Sequence, residues 1–179
     1  MAGGRLDVPR PGSSLTVKRR GAAGWVLVAV GVALGVAALL LVVRPGDGRQ
    51  PWSADGADPA GYAAELVVET NAARADEGLP ALALSDCAAA EAGERAAALA
   101  GGKELEHAPM TSVIADCAPA SVAAENLARA AATPHDVVEA WLGSPGHRAN
   151  LLDPELDQVG IGCLLDGEEM LCSQVFLAP

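Results

Sequence analysis

Trp141-Leu142-Gly143-Ser144-Pro145-Gly146-His147-Arg148-Ala149-Asn150-Leu151-Leu152 is the most informative run in the 179-residue chain. Ser144 followed by Pro145 is a helix start, an N-cap hydroxyl ahead of a proline whose missing N–H costs nothing at the first helical position. It predicts a short helix to about Leu152. Just upstream, Thr133-Pro134 repeats the device and predicts a helix over Pro134–Leu142. His147 stands between Gly146 and Arg148, loop-type neighbours, and so does not read as a core residue.

Downstream, the period shortens. Gln158–Leu165 and Met170–Leu177 are Val/Ile/Leu-bearing runs around Asp166-Gly167-Glu168-Glu169, a β-hairpin pattern. With Gly167-Glu168 as a type II′ turn, Asp166 faces Glu169, Leu165 faces Met170 and Cys163 faces Cys172. That places the two cysteines at a non-hydrogen-bonded pair, where the short Cα separation suits a disulfide. The chain has four cysteines. Pairing Cys163 with Cys172 leaves Cys87–Cys117 as the second bridge. No C-x-x-C pair is present, which argues against a thiolate zinc site.

Upstream, Ala63–Asp76 reads as a helix stopped by Gly78 and Pro80. Ser85 caps a second helix, Asp86–Ala100, closed by Gly101-Gly102. Residues 101–121, with His107, read as irregular. Ala123–Ala130 stays open between helical and extended. His135 reads as a solvated helix-start residue, and Trp52 as a side chain packed on the domain edge. Alanine accounts for 38 residues and aromatics for only 3%, so the core must be built from Ala, Leu and Val, with few large anchors.

The N-terminal third differs. Residues 1–24 form a basic tail carrying Arg5, Arg10, Lys18, Arg19 and Arg20 against Asp7. Trp25–Val43 is an uncharged run of 19 residues. At about 1.5 Å per residue it matches a hydrocarbon core about 30 Å thick. The Arg44-Pro45-Gly46 that follows offers no A-x-A cleavage pattern, so the run reads as a retained anchor rather than a signal peptide. Lys18, Arg19 and Arg20 place the N-terminus in the cytoplasm. The organisation expected is a tail over 1–24, a transmembrane helix over 25–43, a flexible linker over 44–60 and an exported domain over 61–179. The protein is then a single-pass cell-membrane protein with its C-terminal domain extracytoplasmic. From Trp52 onward there are 5 basic and 21 acidic residues, and the whole chain carries a net charge of −11. Such a balance excludes a general nucleic-acid binder.

Four segments occur in order: Glu106-His107, Ala124-Glu125-Asn126-Leu127-Ala128, Trp141–Leu152 and Val159-Gly160-Ile161-Gly162. With Asn71-x-x-Arg74 and Gly78-Leu79-Pro80-x-Leu82, they make residues 66–178 resemble the CAP superfamily. This is the cysteine-rich secretory, antigen 5 and pathogenesis-related domain, here in its short bacterial form. The resemblance implies an α+β fold, a three-layer α-β-α sandwich with a central antiparallel sheet, here preceded by one transmembrane helix. It also implies a cleft in which His107, Glu125 and His147 converge. Ser144 stands where many eukaryotic members carry a second Glu, and Asn150 and Arg148 fall at the rim. Two neutral imidazoles and a carboxylate make a weak three-ligand site for a divalent metal such as zinc. The same trio can act as a general base with its orienting partner. No G-x-S-x-G elbow and no free cysteine supplies a nucleophile. The function expected is a membrane-anchored binding or cell-envelope module for a lipid, glycan or other envelope ligand. The alternative is a metal-dependent or general-base hydrolase acting on peptide, lipid or envelope polymer.

Overall fold

The computed structural model describes residues 51–102 and 104–179. The expected basic tail, the transmembrane run and the linker up to residue 50 lie outside the described residues. Among those described, no helix is long and apolar enough to cross a membrane.

The first helix, α1, spans Pro59–Asp76. It starts four residues before the expected Ala63. Asp58 is its N-cap, accepting from Ala60 N–H, with Pro59 at the first position. This is the device read correctly at Thr133-Pro134, here hidden in a Pro- and Asp-rich linker. A two-residue strand β1 (Ala83–Leu84) follows, then α2 (Asp86–Leu99), capped by the Ser85 hydroxyl. Gly101 ends that segment at φ +72°, a conformation that favours glycine. A short helix α3 (Thr111–Asp116) interrupts the stretch expected to be irregular. The open segment is extended, as β2 (Val122–Ala130). Helices α4 (Pro134–Leu142) and α5 (Pro145–Leu151) form where expected. The Ser144 hydroxyl makes no capping bond, so only its extended backbone starts α5. Strands β3 (Gln158–Asp166) and β4 (Glu169–Ala178) close the chain.

The sheet order is β1-β3-β4-β2. The β3–β4 and β2–β4 ladders are antiparallel, but β1 runs parallel to β3. The sheet is therefore mixed at one edge rather than wholly antiparallel. The hairpin register is the predicted one, with Cys163 opposite Cys172. Gly167 has φ +68° and no described non-glycine residue has positive φ, which leaves type II′ and excludes type I′. Disulfides join Cys163 to Cys172, with Cα atoms 4.2 Å apart, and Cys87 to Cys117, at 5.7 Å.

Side-chain alternation along β4 divides the core. Phe176, Cys172 and Met170 pack with Leu66, Val137, Trp141 and Leu151 of α1, α4 and α5. Val175 and Leu177 pack on the other side with Ala88, Ala92 and Val113 of α2 and α3. Helices thus cover both sheet faces. On the second face, α2 presents Ala88, Ala92 and Ala96, all fully buried. A Cβ on Gly160 would overlap the backbone of Ala88 and Ala89, and one on Gly162 that of Ala92 and Gly93. Helix and strand meet backbone to backbone, which is how a core poor in aromatics stays closed.

Arg74 anchors the opposite end. It is fully buried and donates to the carbonyls of Pro80, Leu151, Asp153 and Leu156 at 2.9–3.2 Å. Four turn carbonyls, two of them in buried bonds, are satisfied by one guanidinium. The outer strand β2 is sealed differently. Trp141 Nε1 donates to Leu127 O at 3.0 Å, and Asn150 Nδ2 to Glu125 O at 3.0 Å.

Candidate functional site

Glu125 lies in the middle of β2 and points to the α2 side of the sheet. The register shows why: it pairs with Val175, whose side chain belongs to that face. The residue is 6% exposed, and a buried carboxylate needs partners. Its Oε1 accepts from Arg95 Nε at 2.6 Å and from Ser173 Oγ at 2.8 Å. Its Oε2 accepts from Arg95 Nη2 at 3.1 Å and lies 2.8 Å from His107 Nδ1. Arg95 thus grips the carboxylate with both arms of its fork. Burial pushes the Glu125 carboxyl pKa up, but the hydrogen bonds from Arg95, His107 and Ser173 and the guanidinium charge outweigh it. The net shift is downward, and the group stays ionised.

An ionised carboxylate only accepts, so His107 Nδ1 carries the proton toward it. The ring is half exposed, and its Nε2 is then the acceptor in the neutral form. His147, at the start of α5, is half-buried. Burial first, and then repulsion from His107, lower its pKa. The shift favours the neutral imidazole at His147. Arg95 Nη2 also donates to Ala108 O at 2.7 Å, tying the loop after His107 to α2.

The remaining expected residues fall elsewhere. Asn150 bridges Glu125 O and Asn126 Oδ1, both at 3.0 Å, and locks α5 onto β2. Arg148 turns to the α1 side, where it pairs with Glu77 at 2.7 Å. The Ser144 hydroxyl bonds none of His107, Glu125 and His147 among the described residues. His135 is not simply solvated, since its Nδ1 lies 3.0 Å from Glu69 Oε2. Trp52 packs on the domain edge as expected, with its ring edge-to-face to Tyr62.

Among the described residues, no group of three or more His, Cys, Asp or Glu side chains is placed to hold an ion. The reason lies in Glu125. Both its oxygens are engaged, and a cation there would face the Arg95 charge. The residues do not fit a three-ligand centre.

Sequence reasoning missed Arg95, Ser173 and Gln174. Arg95 is the one basic residue of α2. Ser173 and Gln174 interrupt the apolar run of β4, and both are fully buried. Gln174 links Asn126 Nδ2, at 3.2 Å, to the Thr70 hydroxyl on α1, at 2.9 Å.

A family model described as CAP, cysteine-rich secretory protein family, matches residues 67–176. The uncharacterized protein YkwD of Bacillus subtilis (strain 168) is 29% identical over 112 residues, covering 59% of this chain and 44% of that protein. An extracellular protein containing a SCP domain from Bacillus anthracis str. Ames has a similar structure, with TM-score 0.58 and 23% identity. That match covers 68% of this chain and 41% of the other. An outer surface protein of Borrelia burgdorferi matches with TM-score 0.59 and 23% identity, covering 68% of this chain and 96% of that one. At these identities the structural likeness speaks for the fold. The chain spans less than half the length of the Bacillus relatives.

Proposed function

The chain belongs to the cysteine-rich secretory protein family, and from this we propose that it is a membrane-tethered, extracytoplasmic binding module of the cell envelope. The uncharged run Trp25–Val43 behind Lys18-Arg19-Arg20 supports the tether and its orientation. Two disulfides suit an oxidising compartment. The observation that carries the binding reading is the full engagement of Glu125. The carboxylate serves as an internal tie and is not free as a base or a ligand. On this reading the ligand is met by two imidazoles, the half-exposed His107 and the half-buried His147. Their ring nitrogens suit the hydroxyl groups of a glycan or a lipid headgroup.

A second reading has one observation in its favour. The Nδ1 contact to Glu125 orients His107, as a general base in a hydrolase is oriented. One experiment separates the two. Full-length protein in nanodiscs is incubated with envelope lipids and glycan fragments, and binding and product release are both followed. A binding module captures ligand without turnover and loses it in the His107→Ala, His147→Ala double variant. Turnover abolished by His107→Ala alone would establish the hydrolase instead.

A further inference from the structure

We propose a second binding site, for a primary alkylammonium group, in the groove between the start of α1 and the start of α4. The groove has a volume of about 400 Å³ and is lined by Trp52, Asp58, Tyr62, Glu65, Glu69 and His135, among others. Cavities of about 300–1,000 Å³ are typical of small-molecule sites. It lies on the α1 side of the sheet, whereas Glu125 points to the α2 side. It is therefore separate from the His107 cleft and independent of the reading given to that cleft.

The chemistry of the walls selects the ligand. No Lys or Arg is among the described residues lining the groove, which carries three carboxylates. Asp136 adds a fourth negative charge close to the Tyr62 ring. Burial, then Asp136 and Glu65, raise the Tyr62 phenol to about 12. Burial disfavours either charge there, and the Asp136 and Glu65 charges tip the balance toward a cation. Trp52 is held in place by its Nε1 donating to Glu168 O at 3.1 Å, and by the edge-to-face contact with Tyr62 at 5.5 Å between centroids. An indole beside carboxylates is a recognised partner for organic cations. The Tyr62 hydroxyl already donates to Ala132 O at 2.8 Å, so the ring contributes surface rather than a competing donor. Ala57 and Pro134 supply apolar wall for a short alkyl chain. Asp58 Oδ1 accepts from Ala60 N–H and Glu69 Oε2 faces His135 Nδ1. The other oxygen of each, with Glu65, suits an ammonium with three N–H donors better than a quaternary one with none.

The test uses the full chain in phosphatidylcholine nanodiscs, with the Trp52 indole N–H followed by NMR and assigned with Trp52→Phe. The probe is n-butylammonium, with neutral 1-butanol as the uncharged counterpart. Saturable shifts with n-butylammonium and none with 1-butanol are expected. The Glu65→Gln, Glu69→Gln double variant should weaken binding about tenfold, and the His107→Ala, His147→Ala variant should leave it unchanged. Exchanging phosphatidylcholine for phosphatidylethanolamine separates two sources of the amine. A shift without added probe assigns it to a lipid headgroup, and no shift assigns it to a soluble amine. Equal response to 1-butanol, or no saturable response to n-butylammonium, overturns the site. Binding that appears only in an Arg49→Gln variant would give the groove to the chain's own linker and also overturn it.

Discussion

Arg95 decides how the Glu125 site behaves. It is buried with its partner, so removing it leaves a carboxylate in the protein interior without its main counter-charge. Arg95→Met should cost about 3 kcal/mol of stability, read from urea unfolding. Adding Glu125→Gln to that variant should recover part of the loss. The pH dependence follows from the same residues. The Glu125 carboxyl titrates below its ordinary range in the folded protein, so its contribution is complete above the unfolded-state value. That contribution is lost as pH falls through the lower folded-state value. The His147 pKa is also lowered by folding, so the unfolded chain binds the proton first as pH drops below its ordinary 6.5. Stability should therefore begin to decline in mildly acidic solution and decline again in the carboxylate range. His147→Gln should remove the first step and leave the second, as followed by melting temperature against pH. None of these pairings was legible from local sequence. Arg95 lies 30 residues from Glu125 and Ser173 lies 48 from it, and only the folded sheet brings them together.

The elements were legible where a cap or a turn announced them. Thr133-Pro134 opens α4, and the cysteine register fixes the β3–β4 hairpin. They were obscured where composition misled. Asp58-Pro59 is the same start signal inside a linker-like stretch, and α3, at six residues, is too short to show a period. Strand β2 carries Val122 as its only β-branched residue, which left its state open until the β4 ladder decided it. Glycines in β3 carried a message that alternation alone does not reveal. Gly162→Ala would drive a methyl group into the backbone of Ala92 and Gly93, so either α2 or β3 must shift. The expected cost is about 1–3 kcal/mol, seen as a lower urea midpoint. Opening the Cys87–Cys117 bridge with a double alanine variant frees a 30-residue separation. It should cost about 3–4 kcal/mol on the chain-entropy account.

At the scale of the whole chain, the charges are segregated. The tail is basic, and the sequence from Trp52 onward holds 5 basic against 21 acidic residues. Anionic headgroups therefore attract the first part and repel the second. Protease added to intact cells should remove the C-terminal domain and spare the N-terminus, detected by tags at both ends. A released form starting near residue 44 would show cleavage instead. A tethered domain also meets its own copies far more often than a dissolved one, because a surface confines them to two dimensions. Under such crowding an open sheet edge becomes a template on which neighbouring chains polymerise. In the middle of β2 two carbonyls that a visiting strand would seek, those of Glu125 and Leu127, are already occupied by Asn150 and Trp141. On the proposed tether, crowded neighbours are therefore kept from adding a strand along the middle of β2.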